Sequence, residues 1–228
     1  MTKILSIETS SESCSVALSF EGDIRERFEQ APMRHAELVL PMVEDLLTEA
    51  GISLRQLDAI AFGRGPGSFT GLRIGIGVVQ GLAWGARRPV VPISSLAAVA
   101  QTFFDRHQPG SLKRVCVAMD ARMQEVYTAQ FALAADGLVE SASEERVCTP
   151  ESIEFADSEP VGAAGNGFAR YDSLARSGAM LAWCVPDCWP HAAAISRLAA
   201  RWLQSNAPLP AHEAQPVYIR DKIAEKSS

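Results

Sequence analysis

Apolar and polar positions change period several times along the chain, and each change marks an element. Lys3 to Ile7 is a dense apolar run, the pattern of an interior strand covered on both faces. Cys14, Val16, Leu18 and Phe20 alternate at period two and predict a second strand. Glu21-Gly22-Asp23 supplies a hairpin turn into a third strand over Ile24 to Phe28. The period then lengthens to that of a helix from Glu37 to Ala50, stopped by Gly51. Asp58 to Phe62 is a strand. A Gly-rich loop, Gly63 to Gly67, leads into a helix from about Thr70 to Arg87. Pro89 to Ile93 reads as a short strand and Leu96 to Arg106 as a helix. A hairpin run followed by alternating helices and strands predicts a mixed sheet with helices packed on it.

The stretch His107-Gln108-Pro109-Gly110-Ser111 is rich in turn formers and divides the chain into 1–108 and 109–228. After it the plan restarts. Arg114 to Met119 is an apolar strand ending at Asp120, Glu125 to Leu133 is a strand, Asp136-Gly137 a turn and Leu138 to Val147 a strand. Pro150 starts a short helix, Val161 ends a short strand, and Ala192 to Gln204 is the main helix of this half. In each half an acid (Glu8, Asp120) ends the first strand and a Gly hairpin (Gly22, Gly137) follows. The symmetry points to two related lobes, with one acid from each facing the cleft between them.

Two helices carry more than a core pattern. In the helix beginning near Gly71, Gly71, Gly75, Gly77, Gly81 and Gly85 fall on one arc of about 160° at 100° per residue. Gly in a helix interior costs about 1 kcal/mol relative to Ala, so something must approach this backbone closely. That neighbour is either the chain's own sheet or a docked partner. In the helix from Glu37, apolar residues cover about 200°, where a surface helix needs a stripe of roughly 100°. The excess points to one face on the sheet and one on a partner, with Pro41 bending the helix. The candidate docking residues are His35, Leu38, Val39, Met42, Val43, Leu46 and Leu47 from the first helix. The second helix adds Gly71, Gly75, Gly77, Val78, Gly81 and Gly85.

Composition narrows the chemistry. The 228 residues are 47% hydrophobic and carry a formal charge of −6, so any RNA is met together with a partner that brings positive charge. The opening apolar run is shorter than a signal peptide needs, and Ile74 to Ala86 is shorter than a membrane span, so a cytoplasmic protein is expected. Five scattered cysteines read as free thiols. Cys184-x-x-x-Cys188 with His191 lacks the second ligand pair of a zinc site. The Gly63–Gly71 segment is neither a P-loop, nor a nucleophile elbow, nor a dinucleotide fingerprint. It is a strand-to-helix turn whose helix N-terminus, with Gly67, Ser68 and Thr70, is also a place for an anion. No HExxH and no Ser/His/Asp arrangement can be picked from spacing.

The motifs together resemble one family. They are Ile4-Leu5-Ser6-Ile7-Glu8-Thr9-Ser10 with Cys14-Ser15-Val16-Ala17-Leu18, then His35-Ala36-Glu37-Leu38, and Gly65-Pro66-Gly67-Ser68-Phe69-Thr70-Gly71-Leu72-Arg73-Ile74-Gly75. Ser94-Ser95-Leu96, Met119-Asp120-Ala121-Arg122 and Glu125-Val126-Tyr127 complete the set. On these the chain is similar to the TsaB (YeaZ) family. The resemblance implies a duplicated ribonuclease-H-like, actin-like ATPase fold of class α/β. It implies pairing with the related catalytic subunit TsaD, which moves a threonylcarbamoyl group onto adenosine next to the anticodon of tRNA. It further implies association with the ATPase TsaE, self-dimers of the lone chain, and contact with tRNA through the assembled complex. The first two helices would form the pairing bundle. No cofactor is assigned to the chain itself, and the subunit junction is the candidate place for ATP or ADP. The relative's metal-binding His-x-x-x-His falls on Ser95 and Val99 here, so no metal is expected. Glu8 stands near the acid of actin-like ATPases; with Thr9, Ser10, Gly67, Ser68, Thr70 and Asp120 it outlines a vestigial nucleotide or anion site. No catalytic residue is carried over. The rival expectation is an ATPase or metallopeptidase-like enzyme in its own right.

Overall fold

A computed structural model describes residues 2–108, 110–155, 160–175 and 181–220. Pro109 of the expected boundary lies outside them. The first sheet is built from β1 (Ile4–Glu8), β2 (Ser13–Phe20), β3 (Asp23–Gln30), β4 (Ala59–Gly63) and β5 (Val90–Ile93), in the order β3-β2-β1-β4-β5. The hairpin strands pair antiparallel, and β1-β4 and β4-β5 pair parallel across helical crossovers. The second sheet repeats the plan with β6 (Arg114–Arg122), β7 (Glu125–Leu133), β8 (Val139–Ser141), β10 (Val161–Ala164) and β11 (Leu181–Val185), in the order β11-β10-β6-β7-β8. Again the first pair is antiparallel, while β6-β10 and β10-β11 are parallel. One five-strand topology therefore occurs twice, which is the duplicated ribonuclease-H-like architecture in an α/β chain.

The helices show how the two copies join. Helices α1 (His35–Ala50) and α2 (Phe69–Ala86) cover the outer face of the first sheet, where Leu5, Ile7, Val16, Ile60 and Phe62 meet Val39, Val43, Leu46, Ile76 and Val79. Short helices α4 (Gly167–Arg170) and α5 (Asp172–Ala175) cover the outer face of the second. Between the sheets lie α3 (Ser95–His107) and α6 (Ala192–Trp202). Helix α3 packs on β6, β7, β8 and β10 of the second sheet, and α6 packs on β1, β2, β4 and β5 of the first. Each half thus lends its last helix to the other half's sheet. The two sheets share one core, centred on Phe103, Val115, Val117, Ile195 and Ala199. Removing that apolar surface from water, at about 25 cal/mol per Å², ties the lobes together.

The second half departs from the sequence expectation in three places. The strand expected over Leu138 to Val147 is two strands, β8 and β9 (Arg146–Cys148), both paired to β7. Between them the Ser143 hydroxyl accepts from the Gln130 N–H at 2.9 Å and stands in for the ladder partner. The strand expected to end at Val161 begins there, and β11 was not expected at all. Leu181–Val185 is a short apolar run without alternation, and periodicity alone does not separate such a run from a loop. No helix among the described residues is long and apolar enough to cross a membrane.

Candidate functional site

The parallel strands of both sheets end at a common crevice. It is a cavity of about 650 Å³, lined by the segments after β1 (Ser10, Ser11, Glu12), β4 (Pro66–Thr70) and β5 (Ser95, Leu96), by the end of β6 (Met119–Met123), and by Asn166 after β10. Crevices at the carboxyl ends of strands are where open α/β sheets take ligands. The Gly-rich loop is locked against β1. The Ser68 N–H donates to the Ser10 carbonyl at 2.7 Å, and the Thr9 hydroxyl donates to the Gly71 carbonyl at 2.9 Å. A Cβ on Gly67 would stand 2.3 Å from the Ser10 oxygen, so only glycine fits there. The Ser68 hydroxyl accepts from the Gly71 N–H at 3.3 Å and caps α2. Ser10, Gly67, Ser68, Thr70 and Asp120 therefore do converge on one cavity.

Glu8 does not, and this corrects the expectation of an acid from each lobe facing the cleft. Its side chain is wholly buried beneath Gly63, whose Cβ would stand 1.9 Å from Glu8 Oε2. Oε1 accepts from the Ser10 N–H at 2.6 Å and Oε2 from the Ser95 hydroxyl at 2.8 Å. Burial without a counter-charge pushes its carboxyl above the ordinary value, against the hydrogen bonds from Ser10 and Ser95 that pull it down. Thr9 is likewise buried and turned to α2 rather than to the cleft. Asp120 does reach the cleft wall, but its carboxylate is engaged. Oδ1 accepts from the Tyr171 hydroxyl at 2.7 Å and from the Arg122 N–H at 3.1 Å. The Arg170 and Arg122 guanidinium groups lie within 3.5 and 3.6 Å of it. Of the two acids expected to hold a metal–nucleotide, Glu8 is sealed off from the cleft and Asp120 is already paired with Arg122 and Arg170. These residues do not fit that group.

The second candidate surface is the outer side of α1 and α2, and the structure divides the expected docking residues in two. Val39, Met42, Val43 and Leu46 are buried in the chain's own core. His35 is also buried; its Nε2 lies 3.0 Å and 3.2 Å from the Ser11 and Ser13 carbonyls. Both partners accept, so Nε2 carries the proton and the ring is a structural tie. Gly71 and Gly75 are buried against Thr9, where an added Cβ would meet Thr9 atoms at 2.1 Å in each case. These residues have no face left for a partner. Leu38, Leu47 and Val78 are half-buried, and Gly77, Gly81 and Gly85 are exposed. Among the described residues, a Cβ on Gly77, Gly81 or Gly85 would meet nothing within 4 Å. Trp84 on the same helix is 75% exposed, and Leu40 on α1 is 49% exposed. Pattern reading left both out of the docking set, and the signal that would have found Trp84 is its place beside Gly81 and Gly85. α1 runs unbroken through Pro41.

The family model for TsaD, tRNA N6-adenosine threonylcarbamoyltransferase, matches residues 29–187. The tRNA threonylcarbamoyladenosine biosynthesis protein TsaB of Escherichia coli is 36% identical, over 98% of this chain and 97% of its own length. The TsaB of Haemophilus influenzae is 38% identical, over 98% and 95%. YeaZ from Pseudomonas aeruginosa superposes with a TM-score of 0.89 at 41% identity, over 96% of this chain and 100% of that one. The chain belongs to the TsaB (YeaZ) family.

Within that family the start of α3 acquires a meaning. The positions that resemblance assigns to the transferase's histidine pair hold Ser95 and Val99. Ser95 is buried; its hydroxyl donates to Glu8 and accepts from the Gly65 N–H at 3.3 Å. Val99 is hydrocarbon, sits in the shared core and lines the cleft. Ser95 is thus a hydrogen-bonded tie and Val99 a packing contact. Cys184, Cys188 and His191 do not gather either. Cys184 is exposed on β11, Cys188 is buried with its thiol toward the Val99 carbonyl, and His191 is held by Glu26 at 3.0 Å.

Proposed function

We propose that this chain is the non-catalytic partner subunit of a tRNA-modifying assembly. In this reading it binds TsaD through α1 and α2 and supports transfer of the threonylcarbamoyl group to adenosine next to the anticodon. The observation that carries the reading is the open glycine stripe Gly77-Gly81-Gly85, with the exposed Trp84 beside it on the same helix. Each interior glycine weakens α2 by about 1 kcal/mol relative to Ala, and nothing among the described residues fills the space a Cβ would take. A helix from another subunit seated on the stripe does fill it, since small residues let helix axes approach. Alone, the chain uses the same face for a self-dimer; TsaE and tRNA join through the assembled complex. The acidic charge of −6 agrees with RNA being held jointly with a basic partner. With Glu8 sealed and Asp120 engaged, ATP or ADP belongs at the subunit junction rather than in this chain's own cleft.

The test is sedimentation of the wild-type chain and of Gly81→Leu with TsaD. The wild type must form a heterodimer. The variant must remain folded yet lose the complex, because its side chain occupies the space of the partner helix. A Gly81→Leu chain that pairs as well as wild type would sink the proposal, and nucleotide turnover by the isolated chain would then favour an enzyme in its own right.

A further inference from the structure

Two features outside the glycine stripe are physically linked. The first is the turn between β6 and β7. Arg122, Met123 and Gln124 all lie in the left-handed region, at φ 64°, 53° and 60°. Each non-glycine residue in that region carries a steric cost, and three in succession need contacts to hold them. The turn lines the cleft, and its Arg122 guanidinium reaches to 3.9 Å from Glu12 on the opposite lobe. Met123 on the same turn is 80% exposed at the cleft mouth.

The second feature is a C-terminal strap that runs from Ala214 to Arg220. Gln80 on α2 donates to the Ala214 carbonyl at 2.8 Å, and the Val217 N–H donates to the Arg64 carbonyl at 2.8 Å. Tyr218 then packs at the N-terminal end of α2, its ring centroid 5.7 Å from that of Phe69, and Arg73 Nε donates to its hydroxyl at 3.2 Å. The Arg73 guanidinium covers the Phe69 ring at 3.9 Å. Phe69 and Arg73 continue, at i+4 spacing, the row that leads to Gly77, Gly81 and Gly85. Phe69 is 49% and Tyr218 44% exposed, so they extend the open face of α2. Two residues farther on, Arg220 donates to the Ala121 carbonyl at 3.0 Å and pairs with the Glu125 carboxylate. It thereby grips both ends of the strained turn.

We infer that this strap couples the outer face of α2 to the cleft: a partner seated on Phe69 and Tyr218 fixes the strap, and Arg220 in turn fixes the β6–β7 turn over the cleft mouth. The inference rests on the partner-subunit reading above. Burial of Tyr218 by a partner orders the segment that carries Arg220, and the Arg220 grip adds to the contacts of Arg122 with Asp120 and Glu12 that hold the strained turn. The cleft thus reports whether α2 is occupied without any partner group entering it.

Hydrogen–deuterium exchange of the full chain, alone and with TsaD, tests this. Exchange across residues 121–125 slows at least about tenfold on complex formation in the wild type. In Arg220→Ala the complex forms with a Kd within about threefold of wild type, since Arg220 is not on the α2 face, but slowing at the turn falls below about twofold. Glu125→Gln removes the other end of the same grip and must behave alike, which guards against a fold defect peculiar to one variant. Equal slowing in wild type and both variants, or none in a wild-type complex, overturns the coupling and leaves the partner reading intact. A wild-type chain that fails to bind TsaD overturns both.

Discussion

Two pairs of glycines on one helix should respond to the same substitution with opposite sign. Gly77→Ala and Gly81→Ala place a methyl where nothing lies within 4 Å. Each removes the backbone-entropy penalty of an interior helical glycine, about 1 kcal/mol, so the double variant of the isolated chain gains about 2 kcal/mol. For a chain of this length each kcal/mol moves Tm by roughly 2–4 °C, which predicts a rise of about 4–8 °C. Gly71→Ala and Gly75→Ala gain the same propensity but drive a Cβ to 2.1 Å from Thr9 atoms, the backbone carbonyl in one case and Oγ1 in the other. Relieving such overpacking costs about 1–3 kcal/mol, so these variants melt at or below wild type, with Gly71→Ala the worse because a carbonyl cannot rotate away. The assay is thermal unfolding at concentrations low enough that self-dimers are dissociated. Destabilisation of the dilute Gly77→Ala/Gly81→Ala chain would show that its own fold requires those glycines, and the argument for a docking stripe would fail.

Other perturbations follow from single contacts. Glu8→Gln keeps the acceptor for the Ser10 N–H and lets its amide donate to Ser95. The native Glu8 pKa is raised, so its contribution is full below the unfolded value and is lost as pH rises through the native one; urea unfolding should show the variant gaining on wild type from acid toward neutral pH. Glu26 is the reverse case. Burial pushes its carboxyl up, but hydrogen bonds from His191, the Ala193 N–H and Ser15 outweigh this and hold it below 4.5. The stability lost in Glu26→Gln should therefore be present at neutral pH and vanish as pH falls through the lowered native value, a trend absent if unfolding curves of the two chains stay parallel. Ser68→Ala removes the cap of α2 and should cost about 1 kcal/mol by urea unfolding, with an unchanged midpoint counting against the cap.

Much of the first lobe was legible in its apolar pattern. Strand β2 and helices α1 and α2 announce themselves by alternation or by a helical stripe, β1 and β4 by dense apolar runs bounded by turn formers, and Gly22 and Gly51 mark turn and stop. The helix faces were harder. A wide apolar arc on α1 reads equally as a core face plus a partner face or as one broad core, and the structure spends most of it on the sheet and α2, leaving Leu40 outside. The glycine arc of α2 likewise merged two situations, since only the position of Thr9 separates Gly71 and Gly75 from Gly77, Gly81 and Gly85. Glu8 was placed correctly at a strand end but not in its environment, because its burial depends on Gly63 and Ser95 closing over it from distant parts of the chain. In the second lobe the break at Ser143 and the plain apolar run of β11 carry no period to read.

The most direct measurement of the central claim is threonylcarbamoyladenosine formed on tRNA by TsaD and its other factors, with this chain omitted, added as wild type, or added as Gly81→Leu. The account predicts product only with the wild-type chain. It also predicts a failure of the variant that tracks its loss of TsaD binding while its own melting stays cooperative. Equal product in all three reactions would contradict it.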